Sequence, residues 1–145
     1  MFRAGTESTY ILLEWSLAKL IKNPKVMKTL QNEIKSVMHC KSMVKEKDIC
    51  EMKNLKAFIK EILRLHPPDP LILLRESIVS CQIEGYEILR KTKVIINYWV
   101  IASDSKVWDT PDFNPEGFLS NDIDFKGQNY KFIPFGASRK ICPEI

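Results

Sequence analysis

The chain has 145 residues, 45% of them apolar, which suits one domain with a core and excludes a wholly disordered polymer. Its net charge of +4 comes from lysines between residues 19 and 60, interleaved with Glu33, Glu46, Asp48 and Glu51 as on solvated helix faces. No basic block is set among exposed aromatics, so no nucleic-acid partner is expected. Cys40, Cys50, Cys81 and Cys142 form no C-x-x-C pair, which argues against a zinc site or disulfide framework and suits reduced thiols facing the cytosol. The longest uncharged run, residues 94–103, falls well short of the roughly 18 apolar residues of a membrane span. Arg3 and Glu7 interrupt any apolar leader, so a membrane anchor is expected only outside these residues.

Residues 1–21 read as a helix apolar on most sides, and such a helix expects burial. Near its start, Ala4-Gly5-Thr6-Glu7-Ser8-Thr9 is open to two readings. One is an N-terminal cap, with Thr6 or Ser8 capping and Glu7 favourable to the helix dipole; the other is functional. Asn23-Pro24 breaks and restarts the helix, asparagine as cap and proline at the first position. Val26, Met27, Leu30, Ile34, Val37 and Met38 then mark an amphipathic helix closed at the surface by His39 and Cys40. Residues 41–47 read as a loop and 48–66 as another helix, ended by Pro67-Pro68.

Leu55, Phe58, Ile59, Ile62 and Leu63 form the apolar face of that helix. Glu61 and Arg64, three apart, point away from it, so periodicity alone predicts an exposed ion pair worth about a few tenths of a kcal/mol. Residues 71–74 are a short buried strand candidate followed by Arg75. Glu84-Gly85 is a turn between extended runs, and 93–97 is a further strand, so a small sheet is expected. Trp99, Trp108, Phe113 and Phe118 read as core anchors. The chain then enters an irregular loop, Phe135-Gly136-Ala137-Ser138-Arg139-Lys140-Ile141-Cys142-Pro143. Cys142 is either a small buried hydrophobe or, beside cationic groups and backbone N–H donors, a thiolate ligand for a soft or redox-active metal.

This loop resembles the haem-binding loop of the cytochrome P450 family. Phe135 and Cys142 match, while Ser138 stands where a glycine is expected, Lys140 where an arginine is, and Glu144 where the last glycine is. Residues 4–9 resemble the family's distal oxygen-activation segment, Ser8 standing for the first of two hydroxyls. Lys60-Glu61-Ile62-Leu63-Arg64-Leu65-His66-Pro67-Pro68 resembles the E-x-x-R helix and proline turn of microsomal, plant-like members. In Asn114-Pro115-Glu116-Gly117-Phe118, Gly117 replaces an arginine that the family adds to the buried pair. These motifs stand in family order along essentially the whole chain.

The resemblance implies a mainly α fold with a small β-sheet, a C-terminal fragment of the P450 fold, with residues 1–145 as one partial haem-binding domain. It implies a haem-thiolate monooxygenase that places one oxygen atom of O2 into a small lipophilic organic substrate. Haem b would be the cofactor, with Cys142 as metal ligand, Phe135, Lys140 and Arg75 as further cofactor contacts, and Glu7, Ser8 and Thr9 in proton delivery. Glu61 and Arg64 would be the structural pair, and residues 71–74 would line the substrate pocket. An NADPH-dependent flavoprotein reductase would supply electrons at the cytosolic face of the endoplasmic reticulum. The family's N-terminal region and the helix after the cysteine are expected to be missing, and with them N–H groups that favour a thiolate. The alternative is a non-catalytic fragment that acts through partner binding or regulation, for which an exposed apolar face on the first helix would speak.

Overall fold

The computed structural model describes residues 2–39 and 43–143, with only the backbone described at residues 2–4 and 140. Helix α1 spans Phe2–Lys22 without a break. Thr6 and Ser8 therefore lie inside it and are not caps, because the helix begins before them. Thr9 Oγ1 donates to the Gly5 carbonyl at 2.7 Å, a hydroxyl turned back onto its own helix. The expected burial of α1 does not hold among the described residues. Its neighbours α2 (Pro24–Met38) and α4 (Lys53–Leu65) cover one side, on which Leu12 and Leu20 pack, and Tyr10, Leu13, Trp15, Leu17 and Ile21 remain exposed.

Asn23 flanks α2, with proline at the first helical position, but makes no side-chain cap bond. Its Nδ2 instead donates to Lys19 O at 2.8 Å and closes the last turn of α1. The apolar stripe of α2 lies as its periodicity predicts, with Leu30 buried and Val26 beside it. The helix expected over 48–66 is two pieces: a single turn, α3 (Glu46–Ile49), and then α4. Glu33 explains the restart. Its carboxylate accepts from Asn54 N and Nδ2, both at 2.8 Å, and from Leu55 N at 2.9 Å, satisfying N-terminal amides that no residue of α4 serves.

After α4, residues 71–74 are not a buried strand. Leu71, Leu73 and Leu74 are exposed, and only Ile72 is buried, at φ +47°. The Pro70 carbonyl accepts from Trp99 N at 3.1 Å, which ties the segment to the next helix instead of a ladder. Strand β1 (Arg75–Glu76) pairs antiparallel with β4 (Lys93–Val94), Arg75 opposite Val94. Between them β2 (Cys81–Ile83) and β3 (Tyr86–Ile88) form a hairpin, Ile83 opposite Tyr86. Glu84 and Gly85 both have positive φ, 49° and 84°, the two-residue turn whose twist matches the flanking strands.

The strand expected to reach residue 97 ends at Val94. Asn97 instead accepts from Val100 N at 3.2 Å through Oδ1 and caps α5 (Tyr98–Ser103). This short helix reverses one expectation: Trp99 is 55% exposed, and the anchor is its neighbour Tyr98, at 0%. The main core joins Ala57 and Leu63 of α4 to Ile72, Tyr98, Ala102, Phe118, Phe132, Ile133 and Ala137. Trp108, Phe118 and Phe132 meet ring to ring within it, Phe118 to Phe132 at 5.2 Å. A second core holds Leu30, Phe58 and Ile62, with Leu12 and Ile59 packed against both. The architecture is thus mainly helical with small antiparallel strand pairs, as expected.

Candidate functional site

Glu61 and Arg64 are each 1% exposed, so the exposed pair that periodicity predicts is overturned. Helical wheel logic sees one helix, whereas α5, residues 110–114 and the 3-10 turn Pro115–Phe118 cover this face from afar in sequence. Arg64 Nε donates to Glu61 Oε2 at 2.7 Å and Nη2 to Oε1 at 2.8 Å, a bidentate fork. The remaining donors meet backbone carbonyls: Ala102 at 2.6 Å, Asp112 at 3.1 Å and Pro111 at 3.2 Å. Asn114 N donates to Glu61 Oε1 at 2.7 Å, and the Trp108 ring lies 5.1 Å from the guanidinium carbon. Gly117 brings no side chain to the pair, and a hollow of about 90 Å³ lies beside Glu61, Arg64, Trp108 and Gly117. The pair keeps its charge balance without it.

The cysteine loop follows Phe132 and Ile133, both buried. Gly136 N donates to Ile133 O at 3.0 Å, Ile141 N to Ser138 O at 3.2 Å, and Cys142 N to Phe135 O at 3.0 Å, so the last bond closes the loop on its first residue. A 3-10 turn, Ser138–Lys140, fills its bend. Ser138, at the position where a glycine is expected, has φ +59°, a conformation costly for a side chain. Phe135 is half-buried and meets Phe125 edge-on at 5.9 Å. Cys142 is half-buried and not in a disulfide. The Lys140 side chain lies outside the described residues.

The structure brings Phe135 to Cys142 and Glu61 to Arg64. Glu7 and Thr9 are exposed and Ser8 half-buried on α1, which stays helical through Gly5. Arg75 is half-buried, and its Nε is buried without a hydrogen-bond partner among the described residues. Sequence reasoning missed Tyr98, Ala102 and Asn114, the last two of which hold the pair through main-chain atoms and so carry no side-chain signal. Burial, partly offset by nearby Arg64, pushes the Tyr98 hydroxyl well above the ordinary tyrosine range, so it stays neutral. The His66 ring stacks on Trp15 at 3.8 Å, another contact that spacing does not reveal.

A family model described as Cytochrome P450 matches residues 1–143. The chain belongs to the cytochrome P450 family. Norfluorocurarine oxidase from a Strychnos species is 46% identical over 146 residues, 100% of this chain and 28% of its own length. Cytochrome P450 71A14 of Arabidopsis thaliana is 48% identical over 148 residues, 100% of this chain and 30% of its own length. A zebra fish cytochrome P450 solved with progesterone superposes with a TM-score of 0.85 at 30% identity, covering 97% of this chain and 32% of that one. The chain thus spans less than a third of the P450 relatives it matches.

P450 membership implies haem, and two observations fit that group. The half-buried Cys142 thiol offers a soft single ligand. The orphaned Nε of Arg75 lacks the acceptor that a carboxylate of such a group would bring. No helix among the described residues is long and apolar enough to cross a membrane.

Proposed function

We propose that this chain is the cysteine-bearing part of a haem-thiolate monooxygenase that inserts one oxygen atom of O2 into a small lipophilic organic substrate. Residues 1–145 are read as part of one haem-binding domain, with haem b as cofactor. The single observation that carries the reading is Cys142, held half-buried by a loop closed on Phe135 in a chain matched to the family across residues 1–143. Relatives named as an oxidase and as tabersonine 16-hydroxylase 2, the latter 46% identical over 146 residues, support oxidative chemistry. An NADPH-dependent flavoprotein reductase at the cytosolic face of the endoplasmic reticulum is the proposed electron source.

When bound through a thiolate, haem supplies the oxygen-activating chemistry. Cys142 serves as its anionic ligand and Phe135 flanks the thiol. Arg75 donates to a carboxylate of the cofactor, and Lys140 adds a point charge without arginine's planar fork. Glu7, Ser8 and Thr9 of α1 would hold and pass protons, Thr9 by releasing its bond to Gly5 O. Glu61 and Arg64 position the segments behind the loop. Haem titration of the chain, with the ferrous carbon monoxide complex read by absorption, tests this. A saturable, strongly red-shifted Soret band that Cys142→Ser abolishes is expected. No saturable binding, or a band indifferent to the substitution, would refute it.

A further inference from the structure

The segment before the cysteine loop touches it at backbone distance through one residue. A Cβ on Gly127 would stand 2.9 Å from Ile141 Cδ1, 3.1 Å from Ala137 Cα and 3.1 Å from Gly136 O, the first well inside the separation at which carbon atoms attract. These neighbours belong to the two arms of the loop. Gly136 and Ala137 follow Phe135, and Ile141 precedes Cys142; the bond from Cys142 N to Phe135 O at 3.0 Å joins the arms.

We infer that Gly127 is a positioning residue for Cys142: bare backbone at 127 is the surface against which both arms are pressed, and this fixes where the thiol stands. The inference rests on Cys142 being the haem ligand. Gly127 has φ +71°, a backbone that strains any L side chain whatever the space around it, but that strain alone is one this chain bears elsewhere. His39, Ile72, Glu84, Lys91 and Ser138 adopt positive φ in this same chain. Contact adds to that strain, because the backbone atoms of Gly136 and Ala137 at 3.1 Å must give way, whereas the Ile141 side-chain end can turn aside. Gly85 supplies the contrast, with φ +84° and nothing within 4 Å of its ideal Cβ. Alanine there bears the backbone cost alone.

The test compares Gly127→Ala, Ile141→Val, the two together, and Gly85→Ala, all without haem, so that its outcome is separate from the haem titration. Alkylation of Cys142 by iodoacetamide is followed by mass spectrometry, with exposed Cys50 and Cys81 as internal references for the reagent. Hydrogen exchange is followed in residues 135–142 and in α4. Gly127→Ala is expected to speed Cys142 labelling and loop exchange by about tenfold while α4 exchange is unchanged. Ile141→Val, which removes Cδ1 and leaves a small void, raises Cys142 labelling about threefold. In the double variant the lost Cδ1 makes room for the new Cβ, so the rate falls below that of Gly127→Ala alone. Gly85→Ala leaves the loop unchanged. The inference is overturned if Cys142 is unaffected by both single variants, if α4 loosens in step with the loop, if the double variant is as fast as the product of the singles, or if Gly85→Ala loosens the loop equally.

Discussion

Replacing Arg64 by lysine keeps the charge and removes the fork. Arg64 reaches both Glu61 oxygens and the carbonyls of Ala102, Pro111 and Asp112, at distances from 2.6 to 3.2 Å. An ammonium has three donors and no plane, so it serves the carboxylate and one carbonyl at best. The others lose their donor, and although the carbonyls of Pro111 and Asp112 are only part-buried, each group left without a partner costs up to about 1–3 kcal/mol. With two orphans, allowing for partial relaxation, the expected loss is about 2–4 kcal/mol. For a urea slope of about 2 kcal/mol per M, the unfolding midpoint followed by far-UV circular dichroism falls by about 1–2 M. A fall below about 0.5 M at unchanged slope would refute the reasoning, because it would mean that water satisfies these carbonyls. A second comparison sharpens the test. Arg64→Met alone strands the Glu61 carboxylate and costs about 3–5 kcal/mol, whereas Arg64→Met with Glu61→Leu strands no charge and costs less. The reverse order would be equally damaging.

Ser138→Gly relieves a side chain at φ +59° and is expected to raise stability by about 0.5–1 kcal/mol net of glycine's entropy, read as a higher urea midpoint; no gain would show that the loop strain is not real. Phe132→Ala empties a fully buried site beside Phe118 and Trp108 and should cost about 3–5 kcal/mol, with a change in near-UV dichroism. A loss under about 1 kcal/mol would place the core elsewhere. His66 is pushed from 6.5 down to about 4, first by burial and then by Lys19, and its buried Nε2 has no partner among the described residues. The unfolded chain therefore takes the proton first: the contribution is whole above pH 6.5 and lost as pH falls towards 4. After solvent screening of this partly exposed ring it amounts to on the order of 1 kcal/mol. His66→Gln should flatten the stability slope in that window, and an equal slope in both proteins would sink the assignment.

Much of the helical frame was legible because its causes are local. The stripe of α2, the apolar face of α4 and the Glu84-Gly85 turn each follow from spacing or backbone freedom within a few residues. Failures came where distant segments decide. Glu33 starts α4 from another helix, and Ala102 and Asn114 bury Glu61 and Arg64 through main-chain atoms. Trp99 was expected as a core anchor, but the short helix α5 turns its neighbour Tyr98 inward instead. In the site, residue order pointed to Phe135 and Cys142. The contact of Gly127 with both loop arms was invisible, since a glycine in a sequence does not say whether a turn or a neighbour requires it.

The buried pair and the cysteine loop, far apart in sequence, are linked through one core. Arg64 holds the carbonyl of Ala102, and Ala102 shares its core with Tyr98, Phe132, Ile133 and Ala137. Ile133 in turn holds Gly136 through its carbonyl, and Ala137 is itself a loop residue. A displacement of α5 at Arg64 therefore has a packed route to the loop, because a close-packed core transmits strain and does not absorb it. The β2–β3 hairpin has no such route. Its side chains are almost all exposed and none belongs to either core, so the hairpin can vary without moving the thiol. On the function proposed above, this difference gives Glu61 and Arg64 a purpose beyond stability. A buried ion pair is a poor way to stabilise a fold, since apolar residues of like volume often do as well. A bidentate fork that also grips carbonyls on two other segments is a good way to fix their relative positions, and one of those segments, α5, shares its core through Ala102 with Ala137 of the Cys142 loop.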